Sequence, residues 1–124
     1  MKTNYTRLFA DNEGESHFED ITIEIALADF APPAPPMGVS SSMPATQSSF
    51  IGGPAGWAGK WHVSPARNLF VVLSGKWEIE ASDGTLRRFC SPEVLLAENT
   101  TGRGHRSRVI SQEDSLALVV QLAE

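Results

Sequence analysis

The chain has 124 residues, 41% hydrophobic and 20% charged, which suits one domain built around a single core. It carries 10 basic and 15 acidic residues, a formal charge of -5, so a surface built to grip nucleic-acid phosphates is not expected. The single cysteine, Cys90, excludes an intrachain disulfide and a multi-cysteine zinc cluster, and reads as a small semi-buried apolar side chain.

The opening MKTNYTRLFADNEGE lacks the apolar stretch of a secretory signal, and no run reaches transmembrane length. A cytoplasmic protein that does not engage a membrane is the expectation. TRLFA (6–10) is the first strand candidate. In ITIEIAL, Ile21, Ile23, Ile25 and Leu27 alternate with Thr22, Glu24 and Ala26, the pattern of a half-buried strand. Residues 31–49, APPAPPMGVSSSMPATQSS, are rich in proline and serine. Proline lacks a backbone donor and resists central strands, so this stretch reads as a long connection laid across the domain, either a plain crossover or a lid.

NLFVVL (68–73) is β-branched and aromatic, suited to burial on both faces. KWEIEA (76–81) alternates again, with Trp77 and Ile79 on one side and Glu78 and Glu80 on the other. Asp83-Gly84 tolerates positive φ and predicts a tight hairpin into TLRRF. VLLAE (94–98), RSRVI (106–110) and SLALVVQL (115–122) complete the set. No segment carries a sustained helical stripe, so the expected architecture is an all-β sandwich or small barrel spanning residues 1–124 as one domain.

Candidate chemistry concentrates in GWAGKWHVSPARNLFVVLSG (56–75). On an extended chain His62, Ser64 and Asn68 share a parity and therefore a face. Ser64 is a poor nucleophile candidate, because alternate strand residues lie roughly 7 Å apart and no Gly-x-Ser-x-Gly elbow is present. The glycines of FIGGPAG and TGRGH do not join a strand to a helix, so no phosphate loop is predicted. Arg67 and Arg103 stand open as binders of an anionic ligand, whereas alternation turns Arg106 and Arg108 outward to meet surface carboxylates. Trp77 reads as core. Trp57 and Trp61 are candidates for a pocket entrance.

The spacing Gly56-x5-His62-x-Ser64-x3-Asn68-x6-Gly75 resembles the first cupin motif, Gly-x5-His-x-His-x3–4-Glu-x6-Gly. DGTLRRFCSPEVLLAENTTGRGH (83–105) resembles the second, with Ser91-Pro92-Glu93 in place of Pro-Gly-Asp and His105 in the final histidine's place. The resemblance covers residues 56 to about 122. It implies a mostly antiparallel, double-stranded β-helix (jelly-roll) barrel with a pocket inside. It also implies a homodimer, for which the edge of ITIEIAL would suit.

For chemistry the resemblance implies a divalent ion such as zinc, iron, nickel or manganese, on His62, His105 and Asn68. Ser64 and Asn68 depart from that ligand set, which uses a second histidine and a glutamate there. His17 is a candidate third imidazole, and Glu15, Glu19 or Glu98 a candidate carboxylate. Two readings follow. In one, a metal-independent or weakly metal-binding pocket formed by His62, Ser64, Asn68, His105, His17, Arg67 and Trp61 holds a small polar or anionic molecule. In the other, the chain is a metal-dependent enzyme of dioxygenase or isomerase type. Fold alone does not choose between them.

Overall fold

The computed structural model describes residues 1–124 and contains strands but no helix, so none is long and apolar enough to cross a membrane. In chain order the strands are β1 (Lys2–Ala10), β2 (Ser16–Glu24), β3 (Ala26–Ala28), β4 (Met37–Val39), β5 (Ala45–Gly53) and β6 (Asn68–Ser74). They continue with β7 (Lys76–Ala81), β8 (Leu86–Cys90), β9 (Val94–Ala97), β10 (His105–Val109) and β11 (Ser115–Leu122). A 6-stranded sheet runs β2-β1-β9-β6-β11-β5, and a 3-stranded sheet runs β10-β7-β8. β1 and β9 pair in parallel, while the other ladders are antiparallel.

The core lies between the two sheets. Leu8, Val72 and Leu95 of the larger sheet meet Trp77, Ile79, Phe89 and Val109 of the smaller, with Phe18 and Phe70 packed at the margin. Alternation in KWEIEA works as predicted for Trp77 and Ile79, both buried. Glu78 does point away from this core, yet it is only 5% exposed, because Arg88 and Arg108 close over its carboxylate. Arg106 pairs with Glu80, so Arg106 and Arg108 turn outward as alternation required.

Two stretches differ from the sequence expectation. ITIEIAL is not one strand: β2 ends at Glu24, Ile25 donates its N–H to the Met1 carbonyl, and Ala26–Ala28 joins a separate 2-stranded sheet with β4. The proline- and serine-rich 31–49 is not wholly irregular either. It contains β4 and the first half of β5, a strand whose low-propensity sequence ATQSSFIGG is organised by its ladder with β11. Tertiary pairing overrides local composition there.

Asp83-Gly84 forms the expected turn between β7 and β8, with Gly84 at φ 91. Gly75, the last glycine of the first motif, sits at φ 73 between β6 and β7. A Cβ there would fall 2.7 Å from Ser115 Cα, so no other residue fits this crossing.

Candidate ligand cavity

The sheets open at one end into a cavity of about 360 Å³. Its walls are Trp57, Phe70, Trp77, Ile79, Leu95 and Val119, with Ile51 and Gly53 of β5 closing one side. Polar groups come from His62, Ser64, Asn68, His105 and Ser107. The first-motif residues therefore do converge with His105. Strand parity is not the reason, since residues 62–67 form no continuous strand.

Convergence comes instead from pairing of the 57–64 segment along β10 and the loop before it. Gly59 donates to the Ser107 carbonyl, Val109 to that of Trp57, and Ser64 to that of Asn99. His62 and His105 form a reciprocal bridge, each N–H donating to the other's carbonyl at 2.9 Å. Their rings lie 4.6 Å apart between centroids. Gly104 permits this approach: it sits at φ +81, and a Cβ would be 2.4 Å from the His62 carbonyl oxygen.

His62 stands at the exposed mouth and donates its Nδ1–H to the Lys60 carbonyl at 2.7 Å, so Nε2 of the neutral ring is an acceptor. His105 lies deeper, 7% exposed. The amide of Asn99, which is wholly buried, donates to its Nδ1 at 2.7 Å, which leaves the proton on Nε2. Burial, with a contribution from His62, pushes the His105 pKa down to about 4, so this imidazole is neutral at pH 7. Asn99 was not singled out in the sequence. Its only local signal is a polar residue between a strand and a glycine-rich turn.

Ser64 and Asn68 brace each other. The Ser64 hydroxyl donates to the Ala66 carbonyl at 2.6 Å and accepts from Asn68 Nδ2 at 3.0 Å, while Nδ2 also donates to the Ala66 carbonyl. Ser64 is thereby committed and carries no base. The Oδ1 of Asn68 has no protein partner, nor do Nε2 of His62 and His105. Deep in the wall, the indole N–H of Trp77 is buried without a partner, as is Asn99 Oδ1. An unpaired buried polar atom costs about 1–3 kcal/mol.

Other candidates fall elsewhere. His17 does not line the cavity; on β2 it is held between Asp11 at 2.7 Å and Asp83 at 3.0 Å, tying the β1–β2 turn to the β7–β8 turn. The Asp11 hydrogen bond chiefly, opposed by burial and reinforced by Asp83, raises its pKa. Glu98 and Arg67 lie on the outer face of the large sheet, where Glu98 accepts from Arg7 at 2.6 Å and Arg67 at 2.7 Å. Burial works to raise the Glu98 pKa, but the two guanidinium groups outweigh it and hold it below the usual range. Glu15 pairs with Arg103, and Glu19 lies against Arg7. Trp61 is outside the cavity, 43% exposed beneath the Arg106 guanidinium. Trp57 does line it, edge-on to Trp77.

This distribution bears directly on the metal expectation. The cavity brings together two imidazoles, one free amide oxygen, the committed hydroxyl of Ser64 and the hydroxyl of Ser107, with neither a third imidazole nor a carboxylate. No group of three or more His, Cys, Asp or Glu side chains converges anywhere in the chain. Such a donor set leaves the charge of a divalent ion uncompensated and does not fit one.

No protein-family model matches this chain, and no curated protein matches it. Among solved structures it is similar to the Schizosaccharomyces pombe Cnp3 cupin domain, with a TM-score of 0.52 and 15% identity. That likeness covers 99% of this chain and 84% of that one. The chain has the cupin fold, as the two motifs implied.

Proposed function

We propose that this chain is a metal-independent binding module whose cavity takes a small, uncharged, ring-bearing molecule with hydrogen-bonding groups on its edge. The observation that carries the reading is a cavity lined by aromatic and aliphatic side chains whose polar groups are imidazoles, an amide and hydroxyls, with no carboxylate, lysine or arginine among them. Within it, His105 Nε2–H is a donor, and Asn68 Oδ1 and His62 Nε2 are acceptors. Aromatic and aliphatic walls supply the apolar contact area, and about 360 Å³ falls at the small end of ligand pockets.

An anionic ligand loses its support. Arg67, Arg103, Arg106 and Arg108 each face a carboxylate, and His105 is neutral at pH 7. Desolvating an anion against such walls would go uncompensated.

The test is a fragment screen read by thermal shift and ligand-detected NMR, using uncharged heteroaromatic lactams and amides beside their carboxylate counterparts. The uncharged ring compounds are expected to bind. Asn68→Ala, which removes the unpartnered Oδ1, should weaken them roughly tenfold, the worth of one hydrogen bond of about 1.4 kcal/mol. A preference for the carboxylates, or unchanged affinity in Asn68→Ala, would overturn the reading.

A further inference from the structure

The two imidazoles of the cavity carry their protons on opposite nitrogens. His62 donates its Nδ1–H to the Lys60 carbonyl at 2.7 Å, so its Nε2 presents a lone pair. His105 accepts from the Asn99 amide at Nδ1, also at 2.7 Å, so its Nε2 presents a proton. Neither Nε2 has a protein partner, both residues line the cavity, and the ring centroids lie 4.6 Å apart. One ring is set as a base and its neighbour as a hydrogen-bond donor.

The fold holds them in those roles. The reciprocal backbone bridge keeps the two residues opposite each other, with both bonds at 2.9 Å. Asn99, wholly buried, fixes the His105 tautomer. That tautomer leaves His105 no lone pair for a metal, because Nδ1 is engaged and Nε2 is protonated. His62 stands at the exposed mouth, where its proton can exchange with solvent, whereas His105 is only 7% exposed.

We propose that this cavity catalyses metal-independent proton transfer at the carbon beside the carbonyl of a small uncharged cyclic compound, with His62 as the base and His105 as the donor to the carbonyl oxygen. The activity presupposes the binding of an uncharged ring compound proposed for this cavity, and adds a reaction to it.

In the step, His62 Nε2 takes the hydrogen of the carbon next to the carbonyl. The C–H electron pair forms a C=C bond while the carbonyl π pair moves onto oxygen, where it accepts from His105 Nε2–H. His62 is left as an imidazolium whose Nδ1–H still donates to the Lys60 carbonyl. Return of a proton from His62 to carbon restores both rings, so no electrons leave the ligand and no co-reactant is required. A carbonyl oxygen and the adjoining carbon are ~2.4 Å apart, so one ligand can engage two neighbouring rings at once. A neutral imidazole is suited to the donor role, since it steadies a developing oxyanion without carrying a charge into an apolar site. Phe70, Trp77, Leu95 and Val119 supply those apolar walls, which strengthen the bond to oxygen by excluding water. Asn68 Oδ1, the remaining free acceptor, orients a ring N–H such as that of a lactam.

Proton NMR in deuterium oxide tests this with oxindole and β-tetralone, uncharged ring compounds that carry hydrogens beside the carbonyl. The whole chain is expected to replace those hydrogens with deuterium at least about a hundredfold faster than free imidazole at the same concentration. His62→Gln should return exchange to the imidazole level while thermal unfolding stays native and the compounds still bind, since the residue lies at the mouth. His105→Gln should slow exchange at least tenfold. His17→Gln removes an imidazole outside the cavity and should leave the rate unchanged. A bound carbonyl compound that exchanges no faster than with imidazole would overturn the proposed activity and leave the binding proposal standing. Exchange that survives His62→Gln, or falls equally in His17→Gln, would also overturn it. Failure of any uncharged ring carbonyl compound to bind would overturn both.

Discussion

His62 and His105 are partners in a hydrogen-bonded antiparallel bridge, with both backbone bonds at 2.9 Å and ring centroids 4.6 Å apart. They lie 43 residues apart in the chain. The bridge brings the exposed mouth of the cavity and its buried floor onto one pair of opposed residues. It depends on a glycine, since only Gly104 lets the chain turn against the His62 carbonyl.

Gly104→Ala should therefore damage the site more than its size suggests. The new methyl would meet the His62 carbonyl oxygen at 2.4 Å from a backbone at φ +81. We expect a loss of about 2–4 kcal/mol in urea unfolding, from αL strain plus the broken bridge. Gly84→Ala is the control: its φ is +91, but nothing lies within 4 Å of the added Cβ, so only the strain of about 1–2 kcal/mol should appear. Equal losses would mean that the close approach carries no energy.

The buried imidazole gives an acid-sensitive component of stability. His105 has a folded pKa of about 4, below the ordinary histidine value of 6.5. Between those values the unfolded chain binds a proton that the folded chain refuses, so stability falls as the pH drops from 6.5 towards 4, then levels off. The slope cannot exceed about 1.4 kcal/mol per pH unit. Chemical denaturation between pH 5 and 6.5 should show this slope in the wild type and lose it in His105→Gln. Parallel profiles would place the titration on another group.

His17 should act with the opposite sign. Its folded pKa is raised, principally by Asp11. Its contribution is fully present below the unfolded value of 6.5 and is lost as the pH rises through the folded pKa. His17→Gln should therefore cost more stability at pH 6 than at pH 8.5. An NMR titration should place the His17 transition above that of an unstructured histidine, and the transition should move down in Asp11→Asn. A cost independent of pH would show that the Asp11–His17–Asp83 contacts act only as neutral hydrogen bonds.

Metal content separates the two chemical readings of the motif. Protein purified without chelators is expected to carry no stoichiometric zinc, iron, nickel or manganese, and thermal unfolding should not respond to added ion. His62→Ala should then change stability by about 1 kcal/mol, the scale of its Nδ1 hydrogen bond to Lys60. Near-stoichiometric metal that disappears in both His62→Ala and His105→Ala would reverse the assignment.

Glu78 offers a check on the small sheet. Its carboxylate is buried beneath Arg88 and Arg108, whose hydrogen bonds hold its pKa below the usual range against the opposing effect of burial. Glu78→Gln should cost about 1 kcal/mol at pH 7, because two guanidinium groups lose their partner but both remain exposed to solvent. That cost should shrink on acidification through the folded pKa of Glu78, where the wild-type carboxylate is itself neutralised. A cost that does not change with pH would mean that packing, not charge, accounts for the loss.

The strands from β6 to β11 were readable from period-two patterning and turn residues, because apolar alternation and Asp83-Gly84 encode them locally. The two motifs identified His62, Ser64, Asn68 and His105, and these four do meet in one cavity. β5 was unreadable: ATQSSFIGG has little intrinsic strand preference and is ordered by β11, some 70 residues further along the chain. Asn99 was equally hidden, since its role depends on contact with His105 rather than on any periodicity.

What the sequence determined alone was the set of local rules: which segments alternate, where a glycine must turn, and how many donors the motifs retain. Only the tertiary structure decided the destinations of the charges. A carboxylate or an arginine acquires its role from the partner it meets, and Glu98, Arg67 and His17 each found a partner away from the cavity. Patterning is a property of neighbours along the chain, whereas the electrostatics of a site depend on distances that folding alone creates.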